Sequence, residues 1–206
     1  MRKEKISMAV IKRLPRYYRY LDEMLKNGIT KTSSKELSQR MRLTASQIRQ
    51  DLNCFGGFGQ QGYGYNVESL HKEMGSILGI YKGYTAVLIG VGNLGRAVAN
   101  YFGANSSGVK IVGMFDINES MIGAKINDIE VMHIDLIDNF MPEHKPDIAI
   151  LTLPKTDLSY ITKKLKALGV KGFWNFSNVD IRVEGVHIEN VHLSDSLMIL
   201  CYKIGQ

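Results

Sequence analysis

Thr85-Ala86-Val87-Leu88-Ile89 runs directly into Gly90-Val91-Gly92-Asn93-Leu94-Gly95-Arg96-Ala97. The first five residues are a short apolar run of the kind that fills a parallel strand buried on both faces. The glycines at 90, 92 and 95 then follow the G-x-G-x-x-G spacing at the point where a strand gives way to a helix. Gly90 permits the tight turn, Gly92 lets the backbone approach a pyrophosphate, and Gly95 lets helix and strand pack closely, with the helix N-terminus facing the anion.

That spacing alone is weak evidence, and its surroundings strengthen it. A second strand pattern, Lys110 to Phe115, ends at Asp116, about 20 residues on, where the ribose-binding acid of a dinucleotide fold is expected. Asp116 accepts from both ribose hydroxyls and repels a 2′-phosphate, and Ile117-Asn118 brings no Arg to hold one, so NAD(H) is expected over NADP(H). Further strands are expected at Glu130 to His133, Asp147 to Leu153 and Gly172 to Phe176, with an amphipathic helix from Thr156 to Leu168 ended by Gly169. Alternating strands and helices imply an α/β Rossmann domain, a doubly wound parallel sheet. Thr152-Leu153-Pro154 and Asn175-Phe176-Ser177 fall at carboxyl ends of strands, where a dinucleotide lies, and join Gly90, Val91, Gly92, Asn93, Leu94, Gly95, Asp116 and Ile117 as candidate cofactor ligands. A last segment, Ser194 to Lys203, reads as a helix with a Ser or Asp cap and an apolar body, which packs on its own domain or crosses to another protomer.

Upstream, Ile11, Leu14, Tyr18, Leu21 and Leu25 form the stripe of an amphipathic helix ended by Asn27-Gly28, and Pro15 is expected to start or kink its regular part. Ser33 with Glu36, and Thr44 with Gln47, have capping-box spacing and open two short helices, the second running to about Asn53. Two short capped helices joined by a tight turn make a helix-turn-helix. Its second helix presents Ser46, Gln47, Arg49 and Gln50 for base edges, with Ile48 and Leu52 toward the core. The Gly- and aromatic-rich stretch 56–66 reads as a hairpin, the wing of a winged helix, with Phe55 and Phe58 packed inward.

Charge separates these two regions. Residues 1–55 carry 13 Lys/Arg against 5 Asp/Glu, and residues 56–206 carry 13 against 15, so the basic surplus sits in the N-terminal third and suits a polyanion. Cys54 and Cys201 have neither metal-ligand spacing nor a disulfide framework, and no apolar run is long enough to cross a membrane, so a cytoplasmic protein without a metal is expected. A dehydrogenase needs an acid/base group beside the nicotinamide and a substrate pocket. His133, His144, His187 and His192 are scattered, and no second domain follows the sheet, so no catalytic residue is assigned and a non-enzyme is expected.

Over nearly its whole length the chain resembles the Rex family of redox-sensing transcriptional repressors. The resemblance is carried by Lys12-Arg13-Leu14-Pro15 with Tyr17-Tyr18-Arg19-Tyr20-Leu21, Thr32 to Leu37, Gln47-Ile48-Arg49-Gln50-Asp51-Leu52, Gly62-Tyr63-Gly64-Tyr65, the loop 90–95, and Asn175-Phe176. It implies a homodimer with a domain-swapped C-terminal helix that binds an inverted-repeat operator of the TTGTGA type and leaves it when NADH binds. It further implies DNA contacts from Arg13, Ser33, Ser46, Gln47, Arg49, Gln50, Gln60, Gln61 and Tyr63, and a switch in which Asp195 exchanges partners between Arg19 and Tyr101. Gln50, Cys54 and Gln60-Gln61 depart from the family's Lys, aromatic and basic residues, which predicts weaker phosphate contact or a changed base preference, and the stretch after Asp195 is shorter than the family's swapped helix, which predicts a weaker dimer. The expected organisation is a winged-helix DNA-binding domain at 1–80, an NAD(H)-binding Rossmann domain at 81–193 and a dimerisation helix at 194–206. The alternative is an NAD(H)-binding paralogue with lost or altered operator binding, or a small NAD-dependent reductase.

Overall fold

The computed structural model describes residues 6–55, 59–60, 64–104 and 108–206. The chain divides into two compact units, Met1–Tyr81 and Lys82–Gln206.

The first unit opens with α1 (Met8–Lys26), capped by Ser7, whose side chain accepts from Val10 N. The helix runs through Pro15 instead of starting at it. Pro15 is exposed, so water can satisfy the Ile11 carbonyl that a proline cannot reach. The buried stripe is Val10, Leu14, Tyr17, Leu21 and Met24, while Ile11, Tyr18 and Leu25 flank it half-buried. The apolar face is therefore wider than the expected stripe and is rotated by about one residue, within the tolerance of a broad helical stripe. After β1 (Lys31–Thr32) come α2 (Ser34–Met41) and α3 (Ala45–Asn53). Ser33 and Glu36 close a complete capping box on α2. Thr44 caps α3 by accepting from Gln47 N. Ile48 and Leu52 of α3 enter the same core as Leu37 and Met41 of α2, and each fully buried aliphatic chain contributes about 1.5–3 kcal/mol.

The wing consists of β2 (Gly59–Gln60) and β3 (Gly64–Asn66), paired antiparallel, with β1 on the other side of β3. Phe55 packs against the core, and Phe58 lies outside the described residues. A helix not expected from the sequence, α4 (Val67–Ile77), follows at once, capped by Asn66, and buries Val67, Leu70 and Met74 against α1.

The second unit is built on β4 (Tyr84–Ile89), α5 (Asn93–Ala104), β5 (Val109–Asp116), β6 (Lys125–Ile126), β7 (Ile129–His133), α6 (Ile137–His144), β8 (Ile148–Leu151), α7 (Lys155–Ala167), β9 (Gly172–Asn175), β10 (His187–Asn190) and α8 (Leu193–Ile204). The sheet order is β10-β9-β8-β4-β5-β7-β6, parallel except for the β6–β7 hairpin. Alternation along β4 sends Ala86 and Leu88 to the face covered by Val98 and Ala99 of α5, and Val87 and Ile89 to the face covered by α6 and α7. In β5 the alternation breaks. The pairing steps from Ala86↔Ile111 to Val87↔Gly113, so one extra residue lets Ile111 and Met114, three apart, share a face.

From β4 the chain first builds outward through β5 and β7, then crosses back to place β8 on the opposite side of β4. The switch point therefore lies between the carboxyl ends of β4 and β8, where open α/β sheets bind ligands.

Candidate nucleotide and nucleic-acid sites

At the switch point Gly90 turns the chain with φ +91°, a region glycine enters without steric cost. A Cβ on Gly95 would lie 2.1 Å from the Gly90 carbonyl oxygen and 2.9 Å from Thr152 Oγ1, so only glycine lets α5 start this close to the strand. At Gly92 a Cβ would meet no protein atom within 4 Å, so the space before this backbone is open, as close approach of a pyrophosphate requires. Thr152 Oγ1 donates to the Gly90 carbonyl at 2.6 Å and so ties the two sides of the switch point together. Its proton is spent on the loop, which makes Thr152 a brace first and a ligand only through its lone pairs.

Asp116, at the end of β5, accepts from Val91 N through Oδ2, and through Oδ1 from Ile117 N at 2.8 Å and Asn118 N at 2.9 Å. A carboxylate has about four lone-pair positions, and three are taken. The expectation that Asp116 grips both ribose hydroxyls fits this geometry only for one of them unless a backbone N–H lets go. Its second task, missed in the sequence, is to fasten the glycine loop to β5.

Beside this loop a cavity of about 510 Å³ is lined by Leu94, Thr152, Leu153, Pro154, Lys155, Phe176, Ser177, Asn178, Val179 and Leu193. Asn175, expected as a ligand, is not among them. It is fully buried; Nδ2 donates to Val179 O and to Asn190 Oδ1, both at 2.8 Å, and Oδ1 accepts from Ser177 N and Oγ. With no exposed surface and all its capacity used, Asn175 holds the cavity wall together from behind. Ser177, a sequence candidate, lines the cavity, whereas Lys155, Asn178 and Val179 were not expected, and the rule that ligands sit at carboxyl ends reaches them when extended by a few residues. Leu193 has no local signal.

In the first unit α3 presents Ser46, Arg49 and Gln50 to the exterior, and Arg49 Nη1 donates to Ser34 Oγ at 3.3 Å. Gln47 departs from expectation. Its side chain does not complete a capping box but donates through Nε2 to Asp51 Oδ1 at 2.9 Å. Asp51 is only 1% exposed and also takes both arms of the Arg13 fork at 2.7 Å and the Tyr17 hydroxyl at 3.0 Å. Burial pushes the Asp51 carboxyl up, but the hydrogen bonds from Arg13, Gln47 and Tyr17 outweigh it and hold the group below the ordinary carboxylate range. Burial, reinforced by the Asp51 charge, raises the Tyr17 phenol well above its ordinary value.

Arg13 is thus committed to fixing α3 on α1 and keeps only its remaining N–H groups for a phosphate. Ser33 is likewise committed as the α2 cap, its Oγ accepting from Glu36 N at 3.1 Å. Gln60 lies on β2 with its side chain outside the described residues, and Gln61 and Tyr63 lie outside them altogether. Of the three switch candidates, exposed Arg19 belongs to α1, while Tyr101 on α5, whose ring meets Phe102 edge-on, and exposed Asp195 in the first turn of α8 belong to the second unit. Ser194 and Asp195 do not cap α8. Its N-cap is His192, without a side-chain cap bond.

A family model described as "Putative DNA-binding protein N-terminus" matches residues 5–53, and one described as "CoA binding domain" matches residues 82–179. The chain is 53% identical over its full length to the redox-sensing transcriptional repressor Rex of Thermoanaerobacter pseudethanolicus, spanning 92% of that protein. The chain belongs to the Rex family. A Rex repressor of Clostridium perfringens is 50% identical over 205 residues, covering 99% of this chain and 97% of that one. Among solved structures, RSP in complex with beta-NAD+ and operator DNA superposes with a TM-score of 0.90 at 52% identity, covering 97% of this chain and 93% of RSP. RSP in complex with beta-NADH gives 0.89 at 50%, covering 97% and 94%. These Rex relatives are named as repressors, not enzymes, and the winged helix-turn-helix followed by a Rossmann domain is the fold of this family. No helix among the described residues is long and apolar enough to cross a membrane.

Proposed function

We propose that this chain is a cytoplasmic redox-sensing repressor that binds inverted-repeat operator DNA as a homodimer through Met1–Tyr81 and leaves it when NADH occupies Lys82–Gln206. The observation that carries this reading is one chain holding both an outward-facing α3 on a capped helix-turn-helix and an open glycine loop at the switch point of a parallel sheet. RSP, similar over almost its whole length, is solved with NAD+ and operator DNA and with NADH. The cofactor contacts are assigned to Gly90 through Gly95, Asp116, Ile117 and the cavity-lining Leu153, Pro154 and Phe176. Asp116 disfavours coenzyme A as well as NADP(H), because each carries a phosphate on the adenosine ribose that Asp116 would repel.

Ser46, Arg49 and Gln50 are the DNA-facing residues, with Arg13 and Gln47 set in place by Asp51. The exposed Leu197, Met198, Ile199 and Leu200 give α8 an apolar surface that a second copy covers. Asp195 exchanges partners between Arg19 and Tyr101 as the nicotinamide changes charge. Fluorescence anisotropy on a TTGTGA-type palindromic duplex, at two salt concentrations, tests the reading. Tight binding with NAD+ that NADH abolishes supports it. No binding in either state, with NADH binding demonstrated separately, means an altered operator or a lost DNA function.

A further inference from the structure

The wall of the cavity and the base of α8 are joined by a set of hydrogen bonds that the glycine loop does not use. Asn190, the last residue of β10, accepts through Oδ1 from Asn175 Nδ2 at 2.8 Å and from Ile181 N at 3.3 Å. Asn175 in turn holds Ser177 and the Val179 carbonyl, two positions that line the cavity. Two residues past Asn190, His192 caps α8, and its Nε2 lies 2.8 Å from Asp180 Oδ1 in the same wall segment. The His192 carbonyl accepts from Asp195 N at 3.2 Å, and Leu193, the first residue of α8, lines the cavity itself.

We propose that Asn190 is a positioning residue: with His192 as a second tie, it straps residues 176–181, the segment whose residues 176–179 line the dinucleotide cavity, to the base of α8, so that a ligand pressing on that wall is felt by the helix. The inference rests on the reading of the cavity as the NADH site. Its chemistry is specific. Asn190 works only as an acceptor, since both bonds end on Oδ1, so a carboxylate in its place keeps the strap and a methyl group removes it. The second tie depends on protonation. The groups acting on His192 are Asp180, by hydrogen bond and charge, and Asp195, by charge; together they outweigh desolvation and raise its pKa above the ordinary histidine value. A raised histidine pKa means that the tie is complete at low pH and is lost as pH rises through that value.

The test is the ratio of operator affinities with NAD+ and with NADH, measured by anisotropy on the full-length protein. Asn190→Ala is expected to shrink that ratio by about fivefold or more, while Asn190→Asp stays within about twofold of the parent. For the second tie, the parent ratio is expected to be larger at about pH 6 than at about pH 8.5, and His192→Ala is expected to lose that difference. A merely structural Asn190 lowers the thermal midpoint of Asn190→Ala and leaves the ratio intact, which overturns the proposal. Equal loss in Asn190→Ala and Asn190→Asp overturns it as well. If Asn190→Ala does not fold, the His192 pair decides: the same pH dependence in parent and His192→Ala sinks the strap. A parent protein that binds NADH but shows no change in DNA affinity removes both the functional reading and the strap, whereas a responsive parent whose Asn190→Ala variant keeps the full ratio removes the strap alone.

Discussion

Among the described residues each unit buries a hydrogen-bonded polar node, and the two nodes are made of opposite materials. In Met1–Tyr81 the node is a carboxylate, Asp51, met by the Arg13 guanidinium and by hydrogen bonds from Tyr17 and Gln47. In Lys82–Gln206 the node is neutral, with Asn175 sharing bonds with Ser177, Asn190 and the Val179 backbone. A buried charge left without its partner costs far more than a severed neutral hydrogen bond. Asp51 therefore fixes α3 on α1 in one orientation, the rigid mounting that the base-reading role proposed for α3 needs. The Asn175 node is composed of bonds worth about 0.5–1.5 kcal/mol each, which can be exchanged one at a time, as suits a wall that must answer to a ligand.

The contrast is broken most directly at Arg13. Arg13→Ala strands a carboxylate that is 1% exposed and is expected to destabilise the first unit by about 3 kcal/mol, leaving protected amides of the second unit unchanged in hydrogen exchange. Replacing Arg13 and Asp51 together with leucine removes the charge as well as its partner and is expected to recover part of that loss, the remainder being the Tyr17 hydroxyl left without its acceptor. Equal slowing or loss of protection in both units would break the comparison. Asn175→Leu is expected to cost the second unit less, about 2 kcal/mol, by stranding Asn190 and the Val179 carbonyl, and to weaken NADH binding in a calorimetric titration.

Acid separates the nodes by a third route. The Asp51 carboxyl is held below its unfolded value, so its contribution is present above the ordinary carboxylate pKa and is lost as pH falls through the lowered one. Hydrogen exchange followed down to about pH 3 should show the parent losing first-unit protection that the Arg13/Asp51 double-leucine variant keeps, while the Asn175 node, with nothing to titrate, contributes no such loss. The smallest effect belongs to a cap: Thr44→Ala is expected to cost about 1 kcal/mol, detected as a lower chemical midpoint at unchanged slope.

Features set by neighbours in sequence were legible from the residues alone. Ser33 with Glu36, Thr44 before Gln47, and the glycines at 90 and 95 all act within a few positions of themselves, and each occupies the expected place. Strand β9 was legible because an apolar run between turns has few alternatives. Asp51 was not, because its partner Arg13 lies 38 positions away and an Asp on a recognition helix looks like surface. Gln47 was misread because it stands three positions after the Thr44 cap and four before Asp51, and its side chain takes the second partner. The helices α4 and α6 went unread although Val67, Leu70, Met74 and Ile77, and Ile137, Phe140 and Met141, recur at helical spacing, and the start of α1 was missed because a proline on the solvent side of a helix costs less than one facing the core. Leu193 reaches the cavity, and Asn190 the segment behind its wall, only through the way β10 closes the sheet edge.

Trp174 is the single tryptophan of the chain, and it stands on β9 with its ring 4.6 Å from that of Phe176, a cavity-lining residue. Reduced nicotinamide absorbs light where indole emits, and the oxidised form does not. If the cavity is the dinucleotide site, the protein carries its own optical gauge: indole emission dims by energy transfer when the reduced form is bound and stays bright when the cavity is empty or holds the oxidised one, so it reports occupancy by the reduced form without a label.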